Sequence, residues 1–153
     1  MSPGLPGRTI LANADATEAL GDALASELQP GDLVLLEGPL GAGKTTLVRG
    51  LVRALGGDPA EVCSPTFVLL ESYAVARGEL RRLYHADLYR LRGRSRAPWE
   101  ELGLGEALDD PEAVTAVEWP EGWSWIATGA TRVLRVQLSF VQAGRAAALA
   151  WEE

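Results

Sequence analysis

The segment Leu33-Val34-Leu35-Leu36-Glu37-Gly38-Pro39-Leu40-Gly41-Ala42-Gly43-Lys44-Thr45-Thr46 changes character at its midpoint. Its first four residues are an uninterrupted apolar run, the mark of a strand buried on both faces of a parallel sheet. The glycines that follow allow positive φ and a close backbone approach to a ligand. From Lys44 to Leu55 the pattern is helical, and Gly56-Gly57 stops it. A strand, a glycine loop and a helix in this order aim unpaired N–H groups and the positive end of a helix dipole at one point. That point suits phosphate.

The loop itself, Gly38 to Thr45, has the form Gly-x-x-x-x-Gly-Lys-Thr. This is the phosphate-binding loop of P-loop nucleotide triphosphatases. Gly41, Ala42, Gly43, Lys44, Thr45 and Thr46 are therefore candidate nucleotide contacts. Lys44 is placed to reach the β- and γ-phosphates, and Thr45 to ligate Mg²⁺. Lys44 is the only lysine in the chain; the remaining Lys+Arg residues are arginine. A guanine-reading Asn/Thr-Lys-x-Asp motif is thereby excluded, and elimination favours ATP. The bland alternative is a glycine-rich turn before an ordinary helix.

Outward from the loop, Thr9-Ile10-Leu11 reads as an edge strand. Asp15 and Glu18 have capping-box spacing, with Asp15 as N-cap, before a helix carrying Leu20, Ala23, Leu24 and Leu28. Ser64-Pro65-Thr66 is an extended connector, because the residue before a proline avoids helical geometry. Phe67–Tyr73 and Leu80–Asp87 read as strands joined by a turn around Gly78. Pro98–Leu108 reads as a short helix and Val114–Val117 as a buried strand. Arg132–Phe140 and Arg145–Trp151 read as an antiparallel pair. The fold expected is α/β: a P-loop NTPase with a central, mostly parallel sheet flanked by helices and an antiparallel C-terminal extension. With 153 residues and no linker, repeat or low-complexity tract, residues 1–153 are expected to form a single domain.

Composition narrows the setting. The chain is 47% apolar and 23% charged, as in ordinary globular proteins. No apolar run is long enough to span a bilayer. Met1 to Gly7 lacks the basic region and apolar core of a signal peptide, and the lone Cys63 forbids an intramolecular disulfide. A cytoplasmic location, away from membranes, is the expectation. A net charge of −7 makes the chain a poor binder of phosphodiester backbones by itself. Any service to nucleic acid would run through a more basic partner.

A phosphate loop needs a strand-end carboxylate for Mg²⁺ or water. Glu118 follows the apolar run Ala113-Val114-Thr115-Ala116-Val117, and Asp87 ends Leu83-Tyr84-His85-Ala86-Asp87. Glu118 is favoured because its strand looks buried and parallel; Asp87 is instead an N-cap or a partner of Arg90 in the plainer reading. Both remain candidates. His85 reads as structural, on the same strand face as Asp87. Thr66 is a candidate γ-phosphate sensor. Trp119 packs in the core or marks a contact. Trp99, Trp123, Trp125 and Trp151 form no single stacking platform by spacing. Arg90, Arg92, Arg94 and Arg96 form a basic loop that either binds a phosphate or tRNA backbone or is merely solvated.

Four motifs now stand in order: Gly38–Thr46, Ser64-Pro65-Thr66-Phe67, His85-Ala86-Asp87-Leu88-Tyr89-Arg90 and Glu118-Trp119-Pro120-Glu121. In this order and spacing they resemble the TsaE (YjeE) family, small bacterial ATPases of tRNA threonylcarbamoyladenosine biosynthesis. The resemblance runs from about Asp15 to Glu121. It implies an ATP- and Mg²⁺-dependent subunit that joins a TsaD–TsaB assembly at the interface of those two proteins. That assembly modifies adenosine 37 of tRNA, so tRNA contact would be indirect. The resemblance also implies that ATP hydrolysis supports repeated turnover. It assigns Glu118 as the metal- or water-handling carboxylate, Asp87 as a second acid near Mg²⁺, and Thr66 as a switch residue. Thr17 falls near the adenine, and Arg132 and Arg145 fall near basic positions of relatives. Pro39 departs from the acidic residue common there.

Two other readings compete. A small-molecule kinase would use Arg90 to Arg96 as an arginine-rich lid, although no acceptor-binding pattern accompanies it. A non-enzymatic switch would use ATP occupancy alone to control docking.

Overall fold

The computed structural model describes residues 7–62, 70–91, 103–121, 126–127, 130 and 132–152. Strand β1 (Arg8–Leu11) leads to α1 (Ala14–Ala25), β2 (Asp32–Glu37) and α2 (Lys44–Ala54). Then come β3 (Leu70–Arg77), β4 (Leu80–Asp87), α3 (Leu104–Asp109), β5 (Ala113–Glu118), β6 (Arg132–Val141) and β7 (Gly144–Trp151). The seven strands form one sheet in the order β1-β7-β6-β2-β5-β4-β3. Strand β2 is parallel to both β5 and β6, and β4 is parallel to β5. The β1–β7, β6–β7 and β3–β4 pairings are antiparallel. The sheet is therefore mixed, with a parallel centre and antiparallel margins, rather than mostly parallel. Strands β3 and β7 run against the others and account for the difference; β6 pairs with both β7 and β2, so the antiparallel extension is continuous with the central sheet.

The apolar run of β2 is buried along its length because helices cover both faces of the sheet at that point. Val34 and Leu36 join one core with Leu24 of α1 and Leu47, Val48, Leu51 and Val52 of α2. Leu33 and Leu35 join the other, with Ala86, Val117 and Leu104 of α3. Each fully buried leucine contributes about 1.5–3 kcal/mol of transfer free energy, so α2 is held to the sheet by its apolar stripe. Helices α1 and α2 meet almost backbone to backbone. A Cβ added at Gly21 would lie 2.5 Å from the Gly50 carbonyl carbon, and one at Gly50 would strike the Glu18 carbonyl.

Local departures from the sequence reading have clear causes. Asn13, not Asp15, is the N-cap of α1: its backbone is extended and its Oδ1 accepts the Ala16 N–H at 2.9 Å. Asp15 already lies in the first helical turn, where its charge faces the helix dipole. Glu18 pairs with Arg53 of α2 at 3.3 Å instead of closing a capping box. Strand β3 continues to Arg77, past the expected end at Tyr73, with a register shift between Ala74 and Arg77. Its expected start at Phe67 lies outside the described residues. Helix α3 begins at Leu104, because Gly103 stands before it with φ 80°. The expected start at Pro98 lies outside the described residues. Among the described residues, no helix is long and apolar enough to cross a membrane.

Candidate nucleotide site

Strand β2, at the centre of the sheet, delivers the chain to its C-terminal end, and the loop turns back into α2 through three glycines with positive φ. Gly38, Gly41 and Gly43 have φ of 146°, 80° and 110°. At Gly38 a Cβ would approach the Leu138 carbonyl oxygen to 2.5 Å, so both backbone angle and space require glycine. The Ala42 N–H donates to the Pro39 carbonyl at 3.1 Å, which closes the turn with Pro39 in place. Gly43 then serves as N-cap of α2 without a side-chain cap. The first-turn N–H groups of α2 are thus left for a ligand.

Lys44 is 5% exposed. Its Nζ donates to the Gly38 carbonyl and stands 3.6 Å from the centroid of the Trp119 ring. Burial lowers the Lys44 pKa, while Glu118, Glu121 and Asp87 pull it back up. A buried ammonium held against the glycine loop is placed to neutralise phosphate charge there. Trp119 is the only non-glycine among the described residues with positive φ, at 59°. Its N–H donates to the Leu36 carbonyl at 3.2 Å, and its ring meets Tyr89 at 4.8 Å between centroids. Strain of this kind persists only where surroundings hold it, and it concentrates at functional sites.

The two carboxylate candidates come together. Glu118 and Asp87 end neighbouring parallel strands and are register partners. Thr45 Oγ1 donates to Glu118 Oε2 at 2.9 Å. His85 Nε2 lies 2.5 Å from the same oxygen. Asp87 Oδ1 accepts the Tyr89 N–H at 3.0 Å, so it caps the turn after β4 as well as facing the site. Burial raises the Asp87 pKa; the Tyr89 N–H lowers it and the Glu118 charge raises it further. Among the described residues no three His, Cys, Asp or Glu side chains converge on a point that could hold a metal ion. Mg²⁺ in phosphate sites is held by one or two carboxylates plus the phosphates themselves. Thr45, Glu118 and Asp87 beside a glycine cradle fit that pattern.

A cleft of about 140 Å³ opens on the other side of the loop, lined by Asn13, Ala14, Thr17, Gly41, Gly43, Thr46 and Arg145. Thr17 is buried, and its methyl carbon lies where a Gly43 Cβ would come within 3.3 Å. Arg145 reaches the Gly41 carbonyl at 3.2 Å and lies over Phe140 at 4.7 Å from its centroid. Arg145 is thus brought to the loop. Its signal was faint in the sequence, because it depends on the β6–β7 hairpin returning to α1. Arg132 goes elsewhere: it forms a two-pronged pair with Asp32, bonds the Glu27 carbonyl and stacks on Trp151. Its place is structural. Thr66, Cys63, Arg92, Arg94, Arg96, Trp99, Trp123 and Trp125 lie outside the described residues.

Known proteins resemble this architecture. A family model described as threonylcarbamoyl adenosine biosynthesis protein TsaE matches residues 11–146. A protein of Synechocystis sp. named tRNA threonylcarbamoyladenosine biosynthesis protein TsaE is 42% identical over 111 residues, 72% of this chain and 68% of that one. A Rickettsia felis protein of the same name is 41% identical over 114 residues; the match covers 73% of this chain and 61% of the relative's length. The crystal structure of Bacillus subtilis YdiB superimposes with a TM-score of 0.62 at 28% identity, covering 93% of this chain and 81% of that one. The phosphate loop, its strand-end carboxylates and these likenesses agree, and the chain belongs to the TsaE family.

Proposed function

We propose that this chain is a Mg²⁺-dependent ATPase subunit of the bacterial machinery that makes N6-threonylcarbamoyladenosine at position 37 of tRNA. It acts in the cytoplasm as one P-loop domain over residues 1–153 and supports turnover of a TsaD–TsaB complex. The observation that carries the chemistry is the Thr45–Glu118 hydrogen bond, 2.9 Å long, which ties the phosphate loop to the end of β5. Relatives named for threonylcarbamoyladenosine biosynthesis support the pathway. The net charge of −7 supports contact with tRNA through partners instead of directly.

In this reading the backbone of Gly41, Ala42 and Gly43 and the first turn of α2 bind the phosphates. Lys44 exchanges the Gly38 carbonyl for phosphate oxygen and neutralises charge there. Thr45 gives its hydrogen to Glu118, which leaves its oxygen lone pairs for Mg²⁺. Glu118 and Asp87 hold the metal's water ligands or orient the attacking water. When bound, Mg²⁺ draws negative charge from the β- and γ-phosphates. Thr17, Thr46 and the Asn13 end of α1 line the side where the nucleoside rests. Thr66 is assigned as the switch residue by family resemblance alone.

The test is ATP turnover with and without TsaD, TsaB and tRNA, alongside GTP. We expect slow hydrolysis alone and faster hydrolysis with both partners. Unchanged turnover on their addition rejects the partner role, and a clear GTP preference rejects the base assignment. Release of ADP that depends on an added metabolite instead supports the kinase reading.

A further inference from the structure

We infer that His85 is a positioning residue for Glu118, holding that carboxylate's orientation from beneath the site. The inference rests on the assignment of Glu118 to metal or water. His85 lies on β4, two residues before Asp87 and on the same strand face. Its side chain is fully buried, and its Nε2 stands 2.5 Å from Glu118 Oε2. The other ring nitrogen, Nδ1, is buried with no hydrogen-bond partner among the described residues. A proton on Nδ1 would be a buried donor left unsatisfied, which is expensive; a bare lone pair is cheaper. The proton therefore sits on Nε2, and His85 donates to Glu118.

The geometry then becomes specific. One carboxylate oxygen, Oε2, accepts from both Thr45 and His85. Two donors on one oxygen, from α2 and from β4, restrain the carboxylate's rotation and leave Oε1 for a metal or water. A purely space-filling role explains the position less well. Tyr73 packs against the ring at 6.2 Å between centroids, and Leu83 and Val75 share its core. An apolar side chain would fill that volume without desolvating an imidazole.

His85 is the only histidine in the chain, which makes the test clean. In nucleotide-free protein labelled with ¹⁵N-histidine, long-range ¹H–¹⁵N correlation spectra should show one imidazole with its proton on Nε2. That proton should be shifted downfield and exchange slowly, and Glu118→Ala should abolish both features. An Nδ1–H tautomer, or a signal indifferent to Glu118→Ala, overturns the inference.

The second arm is turnover of the complete complex. His85→Phe should lower kcat by about 10-fold or more, with KM for ATP changed by less than about 3-fold, the pattern of a loss felt in the transition state. His85→Gln, whose amide can still donate, should recover most of that loss. Wild-type kcat in His85→Phe, or equal impairment of Phe and Gln variants, overturns the inference. Glu118→Gln is measured in parallel. If it retains full turnover, the assignment of Glu118 itself has failed, and the role of His85 falls with it. If His85→Phe does not fold, the Gln variant and the spectra still decide.

Discussion

The two ends of the proposed nucleotide site are built differently. At the phosphate end, Lys44, Glu118 and His85 are buried and joined in a chain of contacts that runs through Thr45 and Trp119. These groups come from α2, β4, β5 and the turn after β5, all anchored on the parallel centre of the sheet. At the other end, the cleft is walled by Asn13, Thr46 and Arg145 around buried Thr17, beside the exposed side chains of Leu40 and Phe140. Those groups come from the start of α1, the glycine loop and first turn of α2, and the β6–β7 hairpin. Buried, mutually supporting groups suit chemistry, where small displacements are costly. Partly exposed groups without such mutual support suit binding, where each contact adds a modest increment. Substitutions at the first end should therefore act on kcat and those at the second on affinity.

The strongest break in that contrast comes from the phosphate end. Lys44→Ala should reduce ATP turnover by about 100-fold or more, the scale seen when one preorganised charge or donor is removed. Glu118→Ala should lose turnover on the same scale while keeping ADP affinity within about 10-fold. Steady-state kinetics paired with calorimetric nucleotide binding checks both. Normal turnover in Glu118→Ala would end the assignment of that residue to metal or water.

Gly50→Ala probes how the two ends are joined. Alanine ordinarily gains about 0.5–1 kcal/mol over glycine inside a helix. Here its Cβ would press on the Glu18 carbonyl of α1, which is backbone and cannot swing away. Overpacking of this kind costs about 1–3 kcal/mol, so the net effect should be a loss of stability in chemical denaturation. Because Asn13 and Thr17 ride on α1, ADP affinity should fall before kcat does. A stabilised variant would show that the helices can separate freely.

These contrasts also explain what could be read from the sequence. The phosphate loop and α2 were legible because their signals are local: glycines at fixed spacing, one lysine and a helical stripe ending at Gly56. Glu118 was legible as a polar residue ending an apolar strand. The cap at Asn13 was misplaced because Asp15 offers the same chemistry two residues later, and only backbone geometry separates them. The Gly21–Gly50 contact, Arg145 beside Gly41 and the His85–Glu118 bond join residues distant in sequence, so no local pattern announces them. The mixed sheet was read as mostly parallel because strand order depends on pairings that alternation along a strand does not encode.

Arg145→Ala should have a smaller effect, raising the Kd for ADP by roughly 3- to 10-fold with kcat little changed, as for one partly exposed polar contact. If kcat falls as far as it does in Lys44→Ala, the division between the two ends is wrong. The smallest effect is expected from Asp87→Asn in nucleotide-free protein. Burial and the Glu118 charge raise the Asp87 pKa above its ordinary value of 3.8. A carboxyl with a raised folded-state pKa favours folding at low pH, and that contribution is lost as pH rises through the folded-state value. At pH 7 the buried charge therefore weighs against the fold, and removing it should raise Tm by roughly 1–3 °C. The gain should shrink as pH falls through the raised value and vanish below about 3.8, where folded and unfolded chains are both protonated. Melting curves of both proteins across that range check the sign. A variant that loses stability at pH 7 would mean that the charge of Asp87, held by the Tyr89 N–H, already supports the fold before any nucleotide binds.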